Sequence, residues 1–324
     1  MRAAVCPSYG PPDVVRIDER PSEPLAPGQV RVKVGAAAVN FPDVLLIANE
    51  YQISVPPPFV PGSEFAGVII ETADSTGIFA AGERVTGTGL FGAFAEEVVV
   101  PAAGLSRIPD GVDDRTAAAF GVAYRTAYHA LRSMARVREG DELIVLGAGG
   151  GVGLAAVQLG VQLGASVTAV ASSAEKLDVA AGYGAKHLVN HKSGDLRGTL
   201  RDAVPGGADA VVDPVGGDLS EPALRSLRRG GRFVTVGFAS GVIPRIPLNL
   251  VLVKGVHVLG FQFQDVPPDE FARNEEELRE HLTSGRVVPH VCAVYPLAET
   301  AAALRHVADG RAIGKVLIGL GDDD

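Results

Sequence analysis

Five glycines fall within seven residues at Gly147-Ala148-Gly149-Gly150-Gly151-Val152-Gly153. The apolar run Leu143-Ile144-Val145-Leu146 precedes them, and a segment with apolar residues at Leu154, Ala155, Val157, Leu159 and Val161 follows. That order predicts a buried strand, a tight turn and a helix N-terminus. Glycine suits such a turn because it accepts positive φ and lets a ligand approach the backbone with no Cβ in the way. The unpaired N–H groups of the first helical turn, at the positive end of the helix dipole, suit a pyrophosphate. Inside a longer βα alternation the pattern is that of a dinucleotide site.

About 20 residues beyond such a turn an acidic side chain would hold the ribose 2′-OH of NAD. Here the chain reads Ala171-Ser172-Ser173-Ala174-Glu175-Lys176. Two hydroxyls and an ammonium in place of the acid can bind a 2′-phosphate through charge-assisted hydrogen bonds, which favours NADPH over NADH. The competing reading makes Ser172 and Ser173 helix caps and Lys176 a solvated surface charge. The seven histidines form no close-spaced pair of the kind that ligates zinc, and Cys6 and Cys292 are too few for a four-thiolate lobe, so no metal is expected.

These residues need a scaffold. A chain of 324 residues predicts two domains, and 47% hydrophobic with 21% charged residues predicts a folded core. Short alternating runs such as Val30-Arg31-Val32-Lys33-Val34, punctuated by Pro and Gly, make the first 110 or so residues an all-β region resembling a small barrel. From Asp114 helix and strand signals alternate: a helix to about Ser133, strands at 142–146, 166–170, 187–189, 209–213, 232–236 and 256–259, and helices between them. Buried strands separated by helices predict a parallel sheet covered on both faces. A polar helix beginning near Asp269 and strands near 287–295 and 315–318 can return to the β region. The expected domains are therefore 1–117 with 262–324, and 118–261. A net charge of −9 excludes a nucleic-acid partner of the usual kind. With no 18-residue apolar run and no charged-then-apolar leader, a cytoplasmic protein is expected, not a membrane one.

Several segments together carry a family resemblance. Ala38-Val39-Asn40-Phe41-Pro42-Asp43, Val60-Pro61-Gly62-Ser63-Glu64-Phe65-Ala66-Gly67, Ala148–Gly153 with Gln158, Pro247–Gly255 and Gly310–Val316 are similar, in this order, to the zinc-independent quinone oxidoreductase branch of the medium-chain dehydrogenases/reductases. The resemblance covers essentially the whole chain. It implies an α/β fold in which a Rossmann-type doubly wound parallel sheet is inserted in a discontinuous GroES-like β-barrel catalytic domain. Zinc-dependent relatives carry Cys, His and Cys where this chain has Asn40, Ser63 and about Val122, which closes the metal-assisted route.

The implied activity is NADPH-dependent reduction of a small-molecule quinone or enone. The alternatives are reduction of enoyl or acryloyl thioesters and an NADPH-binding sensor without turnover. Asn40 and Tyr51 are the implied catalytic residues, one donating its amide to ligand oxygen and the other offering a hydroxyl or an aromatic face. Asp43 and Glu64 are expected to hold backbone, and Tyr124 and Arg125 to line the lost third zinc position. For the cofactor, the resemblance places Asn40 and Thr126 at the nicotinamide side, Gly150, Gly151 and Val152 at the pyrophosphate, and Ser172, Ser173, Lys176 and His191 at the adenosine phosphate. Val215, Gly237, Phe238 and Ala239 follow strands at their carboxyl ends, Phe261 and Phe263 are expected to flank the nicotinamide, and Lys315 to close the far side. A homodimer is implied, joined through the last strand at 256–259.

Overall fold

A computed structural model of the protein describes residues 1–73 and 77–321. In chain order, β1 (Arg2–Val5) and β2 (Arg16–Glu19) lead to β3 (Gln29–Val39), α1 (Phe41–Ala48), β4 (Glu64–Thr72), β5 (Arg84–Thr88), β6 (Glu97–Pro101) and β7 (Leu105–Arg107). The helix α2 (Asp114–His129) carries the chain from one compact unit into a second at Val122–Ala123. The second unit holds β8 (Glu142–Leu146), α3 (Gly151–Gln162), β9 (Ser166–Ala171), α4 (Ala174–Gly182), β10 (His187–Asn190), α5 (Leu196–Ala203) and β11 (Ala208–Asp213). It continues through α6 (Ser220–Arg225), β12 (Leu227–Thr235), α7 (Leu248–Lys254), β13 (His257–Gly260) and α8 (Pro268–Thr283). From Val288 the chain returns to the first unit as β14 (Val291–Pro296), α9 (Thr300–Ala308) and β15 (Lys315–Gly319).

Among the described residues of the first unit, β1 pairs with β2, and seven strands form a second sheet in the order β14-β15-β3-β4-β5-β7, with β6 paired to β3. The long strand β3 is the axis. Val30, Val32 and Val34 point into the core with period two, and Ala36, Ala37 and Ala38 are buried in succession because small side chains fit both faces. Its end is held on both sides: β15 pairs antiparallel with Val316 opposite Val39, and β4 pairs with Glu64 opposite Ala38. Lys315, Asn40 and Glu64 therefore sit at the same end of three adjacent strands.

The second unit has one six-stranded sheet, order β10-β9-β8-β11-β12-β13, parallel at every pairing. Read in chain order this is the 3-2-1-4-5-6 arrangement, whose switch point lies beside the first strand. The glycine turn leaves β8 at that point. Ile144, Leu146, Val211 and Phe233 are fully buried, as a sheet covered on both faces requires. Among the described residues no helix is long and apolar enough to cross a membrane.

Both expected boundaries move: the first unit reaches Val122 instead of 117, and residues 262–287, expected in the β region, belong to the second unit, which ends at Val287. The reason is specific: α8 is fastened to the end of α2. Glu275 accepts from Arg125 Nε and lies 2.9 Å from His129 Nε2, Asn274 donates to Ser133 Oγ (3.0 Å), and Tyr128 donates to Glu277 (2.5 Å). Such partners are 140 or more residues apart in sequence, so periodicity carried no trace of them.

The close packing of α3 on β8 yields a test. A Cβ added at Gly153 would overlap the carbonyl oxygen of Gly147, whereas one added at Gly182 meets no atom within 4 Å. Gly153→Ala should lower stability by about 1–3 kcal/mol through overpacking. Gly182→Ala should leave it unchanged or raise it by about 0.4–1 kcal/mol. Urea unfolding midpoints of the two variants against the parent protein decide the contrast.

Candidate functional site

The second unit builds a phosphate cradle from backbone. Gly147 takes φ +61°, and a Cβ there would press on Val215 Cγ2 at 2.6 Å. Gly150 is the N-cap of α3, and the first helical bond runs from Leu154 N to Gly150 O (2.8 Å). The N–H groups of Gly151, Val152 and Gly153 are thus left at the open helix end, where an anion is favoured. Lys176 closes one side: a Cβ at Gly149 would lie 2.6 Å from its Cβ and Cγ, so its aliphatic stem crosses the glycine turn.

Around Lys176 the charge is positive. Burial lowers the pKa of His191, and the neighbouring ammonium groups of Lys192 and Lys176 lower it further. Ser173 is the N-cap of α4 and accepts the Lys176 backbone N–H at 3.3 Å. Its oxygen therefore serves the helix while its hydroxyl hydrogen stays available to an acceptor. Ser172 and Ser173 are both half-buried at the carboxyl end of β9. The chemistry of this donor set fits a phosphate monoester beside the cradle: hydroxyls, an ammonium and an imidazole, with no carboxylate from the strand end.

The loops after β11 and β12 are tied to each other beside the turn. Asp213 Oδ1 accepts from Val215 N and Gly216 N, both at 2.8 Å, and Oδ2 accepts from Ser220 Oγ at 2.6 Å. Ala239 N donates to Pro214 O and Ser240 N to Val215 O. This fixes Val215, Gly237, Phe238 and Ala239 at the carboxyl edge of the sheet. Asp213 is the residue that organises them, and its place at a strand terminus before Pro214 was the available signal. Phe261 and Phe263 meet edge to face at 5.0 Å, and Phe263 extends the cluster to His129 and Phe271. Arg125 lies over the Phe263 and Phe271 rings at about 5.5 Å and pairs with Glu275. Thr126 is half-buried on α2. Tyr124, expected to line a site, is instead buried within the second unit, where its hydroxyl meets Gln158 and desolvation raises its pKa.

In the first unit five polar side chains gather where β15, β3 and β4 end. Lys315 Nζ donates to Asn40 Oδ1 and to Glu64 Oε1, each at 2.6 Å. Asn40 Nδ2 donates to Glu64 Oε1 (2.9 Å) and Ser63 Oγ (3.1 Å). Glu64 Oε2 accepts the Val122 backbone N–H at 2.6 Å. Asp43, at the first turn of α1, accepts the Asn40 backbone N–H at 2.7 Å. All five are at least nine-tenths buried.

This geometry corrects two expectations. Lys315 does not reach out as a cofactor contact; its ammonium is an internal ion-pair partner, because the antiparallel register sets it beside Asn40 and Glu64. Asn40 does not present a free amide: both of its polar atoms are committed inside the cluster. Tyr51 is half-buried against the core of the same unit, and its hydroxyl makes no hydrogen bond among the described residues. The arrangement does not fit zinc. Asn40, Ser63 and Val122 offer an amide, a hydroxyl and an apolar side chain, and an ammonium lies among them; zinc takes thiolate, imidazole and carboxylate ligands, and among the described residues no three such groups are placed to hold a metal ion.

The buried acid Asp43 is unusual. Burial pushes its carboxyl up to about 7, with the Glu64 charge adding to the rise and the Asn40 N–H, the Ser63 hydroxyl and Lys315 opposing it. The Ser63 hydroxyl approaches the carboxyl, but Oδ1 makes no well-formed hydrogen bond with a described residue.

Comparison with known proteins agrees with both halves. A model described as "Alcohol dehydrogenase GroES-like domain" matches residues 26–110, and one described as "Zinc-binding dehydrogenase" matches residues 151–280. Quinone oxidoreductase-like protein 2 from Bos taurus is 38% identical over 326 aligned positions, covering 98% of this chain and 92% of that protein. The Escherichia coli quinone oxidoreductase complexed with NADPH superposes with a TM-score of 0.91 at 26% identity, covering 98% of this chain and 100% of that one. A mycobacterial protein complexed with NADPH superposes with a TM-score of 0.90 at 29% identity, covering 98% and 100%.

The ion pair gives a stability test. Lys315→Met would leave Glu64 buried at 1% exposure with its cation gone, a change that costs about 3–5 kcal/mol. Adding Glu64→Gln should recover part of that loss. A double-mutant cycle in urea would show it, and strictly additive effects would mean the two groups are not coupled.

Proposed function

Because this chain belongs to the zinc-independent quinone oxidoreductase branch of the medium-chain dehydrogenase/reductase superfamily, we propose that this oxidoreductase reduces quinones with NADPH. The observation that carries the cofactor half is the joining of a glycine cradle to a basic, acid-free strand end, with Lys176 belonging to both. Gly150, Gly151 and Val152 hold the pyrophosphate, and Ser172, Ser173, Lys176 and His191 hold the 2′-phosphate. Thr126, Val215, Gly237, Phe238, Ala239, Phe261 and Phe263 shape the nicotinamide side. When bound, NADPH supplies a hydride. Quinones are already electrophilic, so the protein's work is to orient the acceptor and stabilise charge on its oxygen without a metal. Tyr51, with an uncommitted hydroxyl on an aromatic body, suits a flat acceptor with a carbonyl edge. Asn40 acts differently from a donor: it is the fixed link between Lys315, Glu64 and Ser63.

Mixing the protein anaerobically with NADPH and naphthoquinone should consume NADPH at a lower KM than NADH. Lys176→Ala should raise the KM for NADPH roughly tenfold or more, the loss of one charge-assisted contact, and raise the KM for NADH much less. A preference for NADH would overturn the cofactor assignment. Turnover of an enoyl thioester without quinone reduction would overturn the acceptor, and NADPH binding without consumption across acceptors would leave a sensor.

The same reading includes a homodimer, with a second copy as the partner. β13 is the edge of the parallel sheet, and Val258 on it is 45% exposed. In the same unit α7 buries none of its residues: Leu248 and Leu252 are 81% and 80% exposed. An unpaired strand edge with large exposed apolar residues favours self-association. Light scattering at micromolar concentration should give twice the 33.4 kDa chain mass, and Leu252→Glu should shift the mass toward one chain. A parent protein of single-chain mass would remove this assignment.

A further inference from the structure

Two parallel strands bring His191 to the carboxyl edge of the sheet in the second unit. Asn190 on β10 lies opposite Ala171 on β9. The His191 N–H extends that ladder by donating to Ala171 O at 3.1 Å, which sets His191 beside Ser172. The turn that follows is fixed: Asn190 Oδ1 accepts the Lys192 N–H at 3.0 Å, and Ser193 Oγ donates to Asn190 O at 2.8 Å. The glycine turn reaches the same edge, where Ala148 N donates to Val170 O at 3.0 Å and the Lys176 stem lies across Gly149. His191 is half-buried there, and its ring makes no hydrogen bond among the described residues. Other histidines differ: His129 is held by Glu275 and Asn274, and His306 meets Tyr295. The charged groups acting on His191 are Lys192 in its own turn and Lys176 from α4, while Ser172 and Ser173 after β9 are uncharged. Two ammonium groups favour a neutral imidazole. A dianion among them reverses the preference, because an opposite charge within about 4–6 Å favours the charged form.

We propose that His191 makes the choice of NADPH over NADH depend on pH, by taking up a proton when the 2′-phosphate binds beside it. The proposal rests on the placing of the 2′-phosphate at this edge in the reading above. At neutral pH a phosphate monoester is mostly dianionic, with a second pKa of about 6. The unliganded ring is neutral, since burial and both ammonium groups hold it below the usual histidine range. With the dianion in place the ring gains one proton from solvent and donates an N–H to a phosphate oxygen, so that an ion pair forms. Phosphate and proton then bind cooperatively. Affinity for NADPH is greatest below the pKa of the free ring, falls by about tenfold per pH unit above it, and levels off above the pKa of the complexed ring. NADH lacks the phosphate and has no such dependence at His191. Titration of the phosphate itself has the opposite sign: binding it as the dianion releases a proton, and only near or below about pH 6.

The test is a binding measurement without turnover. The full chain is titrated with NADPH and with NADH in a calorimeter near neutral pH, in two buffers of low and high ionisation enthalpy. The NADPH enthalpies should differ between the buffers in the sense of net proton uptake, and the NADH enthalpies should agree. Across a pH series the ratio of NADPH to NADH affinity should fall about tenfold from about pH 6.5 to about pH 8. His191→Gln should abolish the uptake and flatten the ratio. His191→Lys should flatten it at the high level of the acid side, because an ammonium stays charged throughout. Proton uptake that survives in His191→Gln overturns the proposal. So does a parent protein that prefers NADPH with equal enthalpies in both buffers and a ratio independent of pH; the cofactor assignment then stands without the switch. A parent protein with no preference for NADPH at any pH overturns the assignment of the 2′-phosphate to this edge, and the switch falls with it.

Discussion

The buried pair of Lys315 and Glu64 is the constraint around which the first unit is arranged. Two opposite charges at 2.6 Å and almost wholly out of water are tolerable only if the remaining polar valences are filled. Here they are filled by Asn40 at both partners and by the Val122 N–H at Glu64. These groups come from β3, β4, β15 and α2, so the pair cannot form unless the C-terminal strand has returned beside β3 in the correct register. A slip of one residue would turn Lys315 to the opposite face of the sheet. The ion pair thereby links a register choice to a functional cluster, and it sets the chemistry of its neighbours. Burial, more than the neighbouring charges, raises the Asp43 carboxyl, and Asn40 is held as a fixed strut.

The second unit solves its problem with backbone instead of charge. Its turn is made of glycines because atoms are already where a Cβ would stand: Val215 at Gly147, the Lys176 stem at Gly149 and the Gly147 carbonyl at Gly153. Each crowding contact brings a different element to the same spot. The turn after β8, the helix α4 and the loop after β11 converge at the switch point of the sheet, where an open parallel arrangement leaves a crevice. Asp213 performs for the β11 loop what the glycines do for the first turn, by holding two backbone N–H groups and a serine hydroxyl.

Several misplacements share a cause. The Asn274–Leu278 region was legible as a polar helix, yet not as a partner of α2, because His129–Glu275 and Asn274–Ser133 are long-range pairings of ordinary polar residues. Tyr124 lies two residues from Val122 in sequence, while the helical turn carries its ring into the interior beside Gln158. The sequence around Ser173 suits two roles, cap and phosphate donor. The fold shows the cap through its oxygen, and that role does not consume its hydrogen.

The sequence alone determined the parallel sheet, the glycine turn at its first strand and the basic strand end. All of these are local: periodicity, turn chemistry and side-chain type act within a few residues, or within one βα unit. Only the tertiary structure decided what Asn40, Asp43, Ser63, Glu64 and Lys315 do together. Lys315 lies 251 residues from Glu64 in the chain, and the direction of each hydrogen bond, the burial of Asp43 and the loss of a free Asn40 amide depend on strands paired across that separation. Residue type limits what a side chain can donate or accept; packing decides which partner receives it.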